Sequence, residues 1–171
     1  YHISKGLREK KFGRMTAYDP AKNDPVRGTI IKAHSIEVGI PLCDTPEQAI
    51  QEMDFIISLT SAKVAVNVAQ EILPLMRPGQ IFLDFNSASP DTKRKIADLE
   101  RPDGVRVCDV AVMGPVPLNG SRVPLLITGE GKREFFQEMT QYGMRIECLD
   151  ANVGGASAVK MIRSVFMKGF P

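Results

Sequence analysis

The chain has 171 residues, with 22 basic and 20 acidic side chains and a formal net charge of +2 at neutral pH. Hydrophobic residues make up 43% of the sequence and charged residues 25%, which is typical of a folded globular domain and excludes a disordered or fibrous chain. The balanced charge provides no basic surface for nucleic acid, and no apolar run reaches the roughly 20 residues that cross a membrane. We therefore expect neither a nucleic-acid nor a membrane partner.

The three cysteines, Cys43, Cys108 and Cys148, are widely spaced and form no CxxC pair. This pattern favours reduced thiols over a disulfide or a metal site. The first residues also lack the charged and apolar pattern of a secretory leader. The sequence therefore predicts a cytoplasmic protein without a bound metal.

Hydrophobic periodicity predicts strands and helices in alternation along the chain. A first helix is already under way at Tyr1, with no capping residue before it. The predicted strands cover residues 15–19, 40–42, 54–59, 80–85, 105–112, 123–128 and 145–149. The later helices are predicted over about residues 26–37, from Thr45 onward, and over 64–75, 91–100, 132–142 and 155–168, with a loop at 114–120.

The order of these elements predicts the fold class. Strands that alternate with helices of about 10–15 residues form βαβ units, and continuously apolar strands such as 54–59 belong to a sheet covered on both faces. The sequence therefore predicts an α/β fold with a doubly wound, mainly parallel, Rossmann-like sheet. The sequence contains neither a GxGxxG loop nor a strand before the first helix, so we interpret the chain as truncated at the N-terminus before that helix.

Ligands of such sheets bind beyond the carboxyl ends of the strands. Asp19 ends one predicted strand, where an acidic side chain can accept hydrogen bonds from a ribose and favour NAD over NADP. A turn role before Pro20 is the alternative, and Lys22 nearby could accommodate an additional phosphate. NAD and NADP therefore both stay open as the predicted cofactor.

Small polar residues follow two further strands. Leu59, Thr60 and Ser61 join a buried strand to a helix, and Asn86 and Ser87 follow the next strand in the same relative place. Their backbone N–H groups and polar side chains are predicted to contact the ribose or phosphates of a cofactor near a helix N-terminus. Helix capping is the alternative role for the hydroxyl groups.

The last predicted helix opens with small residues, 154–158, and carries Lys160. Such a run fits a place where a flat nicotinamide ring or another surface presses close, and close helix–sheet packing is the alternative. A lysine on a helix is typically solvated, so periodicity alone gives Lys160 no catalytic role.

Three segments together resemble the β-hydroxyacid dehydrogenase superfamily, which includes 6-phosphogluconate and 3-hydroxyisobutyrate dehydrogenases. Residues 82–90, FLDFNSASP, are similar to the family's strand and loop L-I-D-x-S-T-x-x-P. Residues 109–117, DVAVMGPVP, are similar to its substrate loop D-A-P-V-S-G-G, and residues 155–160, GASAVK, to the G-x-G-x-x-x-K start of its interdomain helix. The resemblance is closest to the branch of NAD-binding phosphogluconate dehydrogenases.

The resemblance implies an oxidoreductase that transfers hydride between a small 3-hydroxyacid and NAD or NADP. Lys160 is then the catalytic general base, and Met113, Gly114 and Ser164 take the substrate positions. The better-known enzymes have Ser and Asn where this chain has Met113 and Ser164. This departure keeps a second hypothesis open, a module that senses NAD(P)(H) without turnover.

The resemblance also implies a domain arrangement. Residues 1–153 are expected to form a dinucleotide-binding domain without its first strand and glycine loop. Residues 154–171 are expected to begin the interdomain helix, with the helical C-terminal domain absent. The chain alone is then expected to be inactive, and the full-length protein to be a homo-oligomer.

Overall fold

A five-stranded sheet between two layers of helices forms the centre of the computed structural model, which describes residues 1–169, with side chains as far as residue 167. The strands are β1 (Phe55–Ser58), β2 (Ile81–Asp84), β3 (Arg106–Val112), β4 (Pro124–Gly129) and β5 (Arg145–Cys148). The helices are α1 (His2–Glu9), α2 (Arg27–Val38), α3 (Pro46–Ile50), α4 (Ala65–Ile72), α5 (Pro90–Ala97), α6 (Val116–Asn119), α7 (Lys132–Thr140) and α8 (Gly155–Gly169).

The strands lie side by side in chain order, from β1 at one edge of the sheet to β5 at the other. β1, β2 and β3 are parallel to one another and β4 is parallel to β5, whereas β3 and β4 pair antiparallel. Only the short helix α6 and a 3₁₀ turn separate β3 from β4, which is too short for a crossover connection. The predicted α/β fold with a doubly wound, mainly parallel, Rossmann-like sheet is confirmed.

Helices cover both faces of the sheet because its central strands are apolar on both sides. On one face, Leu83 of β2 and Ile127 of β4 pack with Leu7 of α1 and Phe135 of α7. On the other face, Phe82 packs with residues of α3, α4 and α5. Since neighbouring side chains of a strand alternate between faces, the last residue of β2 points to the α5 side.

The predicted strands at 15–19 and 40–42 are wrong in extent, because the structure forms only a single parallel bridge between Ala17 and Leu42. Extension of the bridge in one direction needs a backbone N–H that Pro41 lacks. Extension in the other direction needs the Cys43 carbonyl, which accepts a hydrogen bond from Lys22 Nζ at 2.9 Å. The ladder ends where Pro41 offers no backbone N–H and, in the other direction, where the chain turns into the 3₁₀ segment Pro20–Asn23.

The other predicted elements differ from the structure by a few residues at their ends. Thr45 and Ser89 cap α3 and α5, each side-chain oxygen accepting from the backbone N–H three residues later. The predicted loop at 114–120 contains the short helix α6, which periodicity did not indicate. Within the described part of the chain, every helix is too short or too polar to cross a lipid bilayer.

Gly129 faces Cys108 across the antiparallel pairing of β3 and β4, with a φ of +110°. A Cβ atom there would lie 2.3 Å from the Val107 carbonyl oxygen, so Gly129→Ala combines backbone strain with a steric clash. We expect the free energy of unfolding, measured by urea denaturation, to fall by about 2–6 kcal/mol.

Gly143→Ala is the matched control for this substitution. Gly143 has a φ of +82° and open space around its missing Cβ, so only the backbone strain of about 1–3 kcal/mol applies. Equal losses of stability in the two variants would contradict the close approach of Gly129 to β3.

Candidate functional site

Two aspartates lie side by side in the sheet. Asp84, the last residue of β2, is the register partner of Asp109 in β3. Their side chains are 2% and 0% exposed. Because adjacent carboxylates repel each other strongly when water is excluded, this pair requires a buried counter-ion.

Lys93 of α5 supplies that counter-ion from a fully buried position. Its Nζ lies 3.0 Å from Asp84 Oδ2 and 3.3 Å from Asp109 Oδ1, and it donates a hydrogen bond to the Asp84 carbonyl oxygen at 2.7 Å. Asp84 Oδ2 accepts no hydrogen bond within the described structure, so the charge of Lys93 is what compensates its burial. We call Asp84, Lys93 and Asp109 the buried charge cluster.

Asp109 also caps the last helix. Its Oδ2 accepts a hydrogen bond from the backbone N–H of Ser157 at 2.9 Å, and its Oδ1 accepts from the Ser157 hydroxyl at 2.7 Å. A carboxylate at this position satisfies an N–H group that the first turn of α8 leaves unpaired, and it interacts favourably with the helix dipole. The buried charge cluster therefore fixes the start of α8 against β3.

The small residues at the start of α8 allow this close approach. A Cβ atom at Gly154 would lie 2.9 Å from the Pro90 carbonyl oxygen, and one at Gly155 would lie 3.3 Å from Thr128 Cγ2. Ala156 is fully buried against β3 and β4. The structure thus shows this run packed closely against α5 and the sheet, while a contact with a nicotinamide ring stays a prediction.

Lys160 lies one turn beyond the capped start of α8. Its side chain is half-buried, and its Nζ donates a hydrogen bond to Ser87 Oγ at 2.9 Å. Burial lowers the pKa of Lys160 from its ordinary value, the charge of Lys93 lowers it further, and Asp109 opposes both. The amine is therefore more readily uncharged than that of a solvated lysine, which is the form that can accept a proton.

Asn86 joins the ends of β1 and β2 and is itself buried. Its Nδ2 donates hydrogen bonds to Ser58 Oγ and to Asp84 Oδ1, while its Oδ1 accepts from the backbone N–H of Thr60. The Asn86 amide and the Thr60 N–H are therefore already hydrogen-bonded inside the protein. The predicted roles of both in cofactor binding stay predictions, and the structure shows them shaping the edge of the sheet.

The other residues predicted at these strand ends are open to solvent. Leu59, Thr60 and Ser61 are exposed directly after β1, and Ser87 is exposed after β2. Because β1 and β2 are parallel, their carboxyl ends lie at the same edge of the sheet. These four residues offer a ligand one apolar side chain and three hydroxyl groups.

Asp19 lies in a turn. Among the described residues, its side chain forms no hydrogen bond with the other predicted site residues. Its Oδ1 accepts from the backbone N–H of Ala21 at 2.8 Å and caps a short 3₁₀ turn. Lys22 in that turn pairs with Asp44. The structure thus shows the turn role for Asp19, while its predicted contact with a ribose stays a prediction.

The predicted substrate residues lie on the loop after β3 and on α8. The Met113 N–H donates to the Pro124 carbonyl at 2.8 Å, and the Met113 carbonyl accepts from Arg163 Nη1 of α8 at 3.0 Å. Gly114 is half-buried on the same loop. Ser164 is exposed on α8, four residues after Lys160 and on the same helix face.

Comparison with known protein families agrees with this geometry. Residues 18–142 match the model of the NAD binding domain of 6-phosphogluconate dehydrogenase. The chain belongs to this family. It is therefore a nucleotide-binding domain of the β-hydroxyacid dehydrogenase superfamily, and the predicted cofactor, NAD or NADP, agrees with the family's NAD-binding character.

Solved structures of similar proteins extend beyond this domain. A conserved hypothetical protein from Sinorhizobium meliloti is 32% identical, with a TM-score of 0.90 over 98% of this chain and 56% of that one. A conserved protein of unknown function, described as structurally similar to 3-hydroxyacid dehydrogenases, is 26% identical, with a TM-score of 0.82 over 98% of this chain and 60% of its own.

The 3-hydroxyisobutyrate dehydrogenase of Mycobacterium tuberculosis, solved with L-serine, shares the fold at 19% identity, with a TM-score of 0.78 over 97% of this chain and 55% of its own. The chain thus spans little more than half the length of each of these three relatives.

Sequence reasoning on this NAD-binding domain missed the buried charge cluster, Ser157 and Arg163 as parts of the site. Lys93 lies three residues before Ile96 on the buried face of α5, which is an unusual position for a lysine. Asp84 and Asp109 each interrupt or end an apolar strand. The signal for such a cluster is an acidic residue in each of two neighbouring buried strands. A lysine on the apolar face of the helix between them completes it.

Lys93→Met removes the counter-ion while keeping much of the side-chain volume. The two aspartates would then be buried without a compensating charge, so we expect the free energy of unfolding to fall by about 3–5 kcal/mol. Lys95→Met, on the exposed side of the same helix, is the control and should change it by no more than about 0.5 kcal/mol. Similar urea midpoints for the two variants would show that Lys93 does not hold the aspartates.

Proposed function

We propose that the protein containing this domain is an NAD(P)-dependent dehydrogenase that oxidises a small 3-hydroxyacid, with Lys160 as its general base. The observation that carries the proposal is the Lys160 amine, which lies 2.9 Å from Ser87 Oγ beyond the end of β2 and has a lowered pKa. Ligands of this class of fold bind at that edge of the sheet. The family match and the relatives described as hydroxyacid dehydrogenases, or as similar to them, support the same reaction.

NAD or NADP fits the exposed edge formed by the ends of β1 and β2. Leu59 offers an apolar surface there, Thr60, Ser61 and Ser87 offer hydroxyls, and buried Asn86 holds the two strand ends together. The bound cofactor supplies the acceptor for the hydride that leaves the substrate carbon. The free oxygen of Asp19 is a candidate acceptor for ribose hydroxyls, which would favour NAD over NADP.

Lys160 would remove the proton of the substrate hydroxyl while the carbon that bears it loses hydride. The alcohol then becomes a carbonyl, and the proton is left on Lys160 Nζ as an ammonium. Only the neutral amine can accept that proton, and both burial and the nearby charge of Lys93 favour the neutral form. The Ser87 hydroxyl orients the amine at the edge of the sheet.

The remaining expectations belong to the same proposal. Met113 and Gly114 would border the substrate on the loop after β3, and Ser164 would face it from α8. The dinucleotide-binding domain would end at residue 153, and α8 would begin the interdomain helix. Of the predicted range 154–171, residues 170 and 171 lie outside the described residues. The homo-oligomeric state and the cytoplasmic location stay predictions.

A sensor of NAD(P)(H) without turnover is the second candidate function. The side chain of Met113 has no hydrogen-bond donor, and the Ser164 hydroxyl is short and exposed, so neither offers a strong contact to a substrate. Tight NADH or NADPH binding by the full-length protein, with no change in cofactor absorbance across a panel of 3-hydroxyacids, would favour the sensor over the dehydrogenase.

Lys160→Met in the full-length protein tests the proposed base directly. We expect kcat for hydroxyacid oxidation to fall by about 10²–10⁴-fold, the usual contribution of a general base, while NADH binding measured by fluorescence is retained. Lys95→Met is again the control and should keep full activity. Oxidation of a 3-hydroxyacid at the unmodified rate by Lys160→Met would exclude Lys160 as the base.

The pH dependence of kcat/KM follows from the direction of the Lys160 pKa. The reactive form is the neutral amine, so kcat/KM for oxidation should rise with pH and then level off. Because burial lowers the pKa from 10.5, the midpoint of the rise should lie below that value. A midpoint at or above 10.5, or a rise that persists in Lys160→Met, would be inconsistent with this assignment.

A further inference from the structure

Two cations of α8 reach toward the ends of neighbouring parallel strands. Lys160 donates to Ser87 beyond β2, and Arg163 Nη1 donates to the Met113 carbonyl beyond β3 at 3.0 Å. Residues three apart on a helix lie on the same face, with Cβ atoms about 5–6 Å apart. The two side chains therefore start from the same face of α8 and reach the same edge of the sheet.

Neither cation forms a salt bridge within the described residues. The loop that Arg163 contacts, residues 113–123, contains Arg122 and no Asp or Glu. The guanidinium has five N–H groups, and among the described residues it forms one side-chain hydrogen bond, to Met113, which holds it beside the loop. A planar cation in this state is suited to a bidentate carboxylate.

We propose that Arg163 is the specificity-determining residue of the site and that it binds the substrate carboxylate. This inference rests on the proposed function and assigns the residue by which the site distinguishes an acid from a neutral alcohol. Met113 contributes its carbonyl as the anchor for the guanidinium, and its side chain donates nothing to the carboxylate. A 3-hydroxyacid carries a hydroxyl for the amine and, two carbons away, a carboxylate for the guanidinium.

The test compares an acid with its neutral amide in the full-length protein. We expect Arg163→Ala to lower kcat/KM for 3-hydroxypropanoate by about 10–100-fold, chiefly through KM, and to change kcat/KM for 3-hydroxypropanamide by less than about 2-fold. Arg163→Lys keeps the charge but loses the planar fork, so its loss should be intermediate. Arg122→Ala removes one exposed arginine of the same loop and should leave both substrates within about 2-fold.

A binding measurement separates this inference from the proposed reaction. Calorimetric titration of 3-hydroxypropanoate into the NADH-loaded protein should show binding that Arg163→Ala weakens by the same factor. Arg163-dependent binding without oxidation of any hydroxyacid would overturn the proposed reaction and support the carboxylate site. An equal effect of Arg163→Ala on acid and amide, or acid binding unchanged in Arg163→Ala, would overturn the carboxylate site. A wild-type protein that neither binds nor oxidises the acid would overturn both.

Discussion

A lysine buried between two aspartates is the interaction on which the rest of this domain depends. Asp84 and Asp109 are register partners on β2 and β3, so the sheet cannot form without bringing the two carboxylates together. Lys93 compensates both, and the remaining hydrogen-bonding capacity of Asp109 is used to cap α8 through Ser157. One cluster thereby joins two strands and two helices, and the capped helix in turn carries Lys160 and Arg163 to the edge of the sheet. A buried ion pair is expensive to desolvate, and here it determines where a helix starts.

Most of the fold followed from local patterns in the sequence. Features that depend on a few neighbouring residues could be predicted from the sequence. They include the apolar runs of β1 and β2 and the helix caps at Thr45 and Ser89. The prediction of the first two strands was wrong in extent because strand length depends on pairing between distant residues, here only Ala17 with Leu42. The antiparallel course of β4 follows from the short connection after β3, a local signal that the prediction of a mainly parallel sheet did not use.

The site was only partly predictable because it too depends on contacts between distant residues. The resemblance to a known family pointed to Lys160, whereas helical periodicity gave it no distinction from a solvated lysine. What makes it distinctive in the structure is non-local: a hydrogen bond to Ser87, 73 residues away, and a pKa lowered by burial and then by the nearby charge of Lys93. The predicted contact of Asn86 with a cofactor stays a prediction, while the structure shows its amide bonded to three internal partners. The small residues of α8 indicated a close contact correctly but not whether the contacting surface was protein or cofactor.

Whether Lys160 is held as a readily neutral amine is tested most directly by an NMR titration of the protein with ¹³C-labelled lysine side chains. The Lys160 resonance would be assigned by its loss in Lys160→Arg. The structure predicts that this resonance titrates at a pH clearly below the roughly 10.4 of an ordinary lysine. Titration of Lys160 at or above that ordinary value would contradict the burial of its amine at the edge of the sheet and its proposed role as a base.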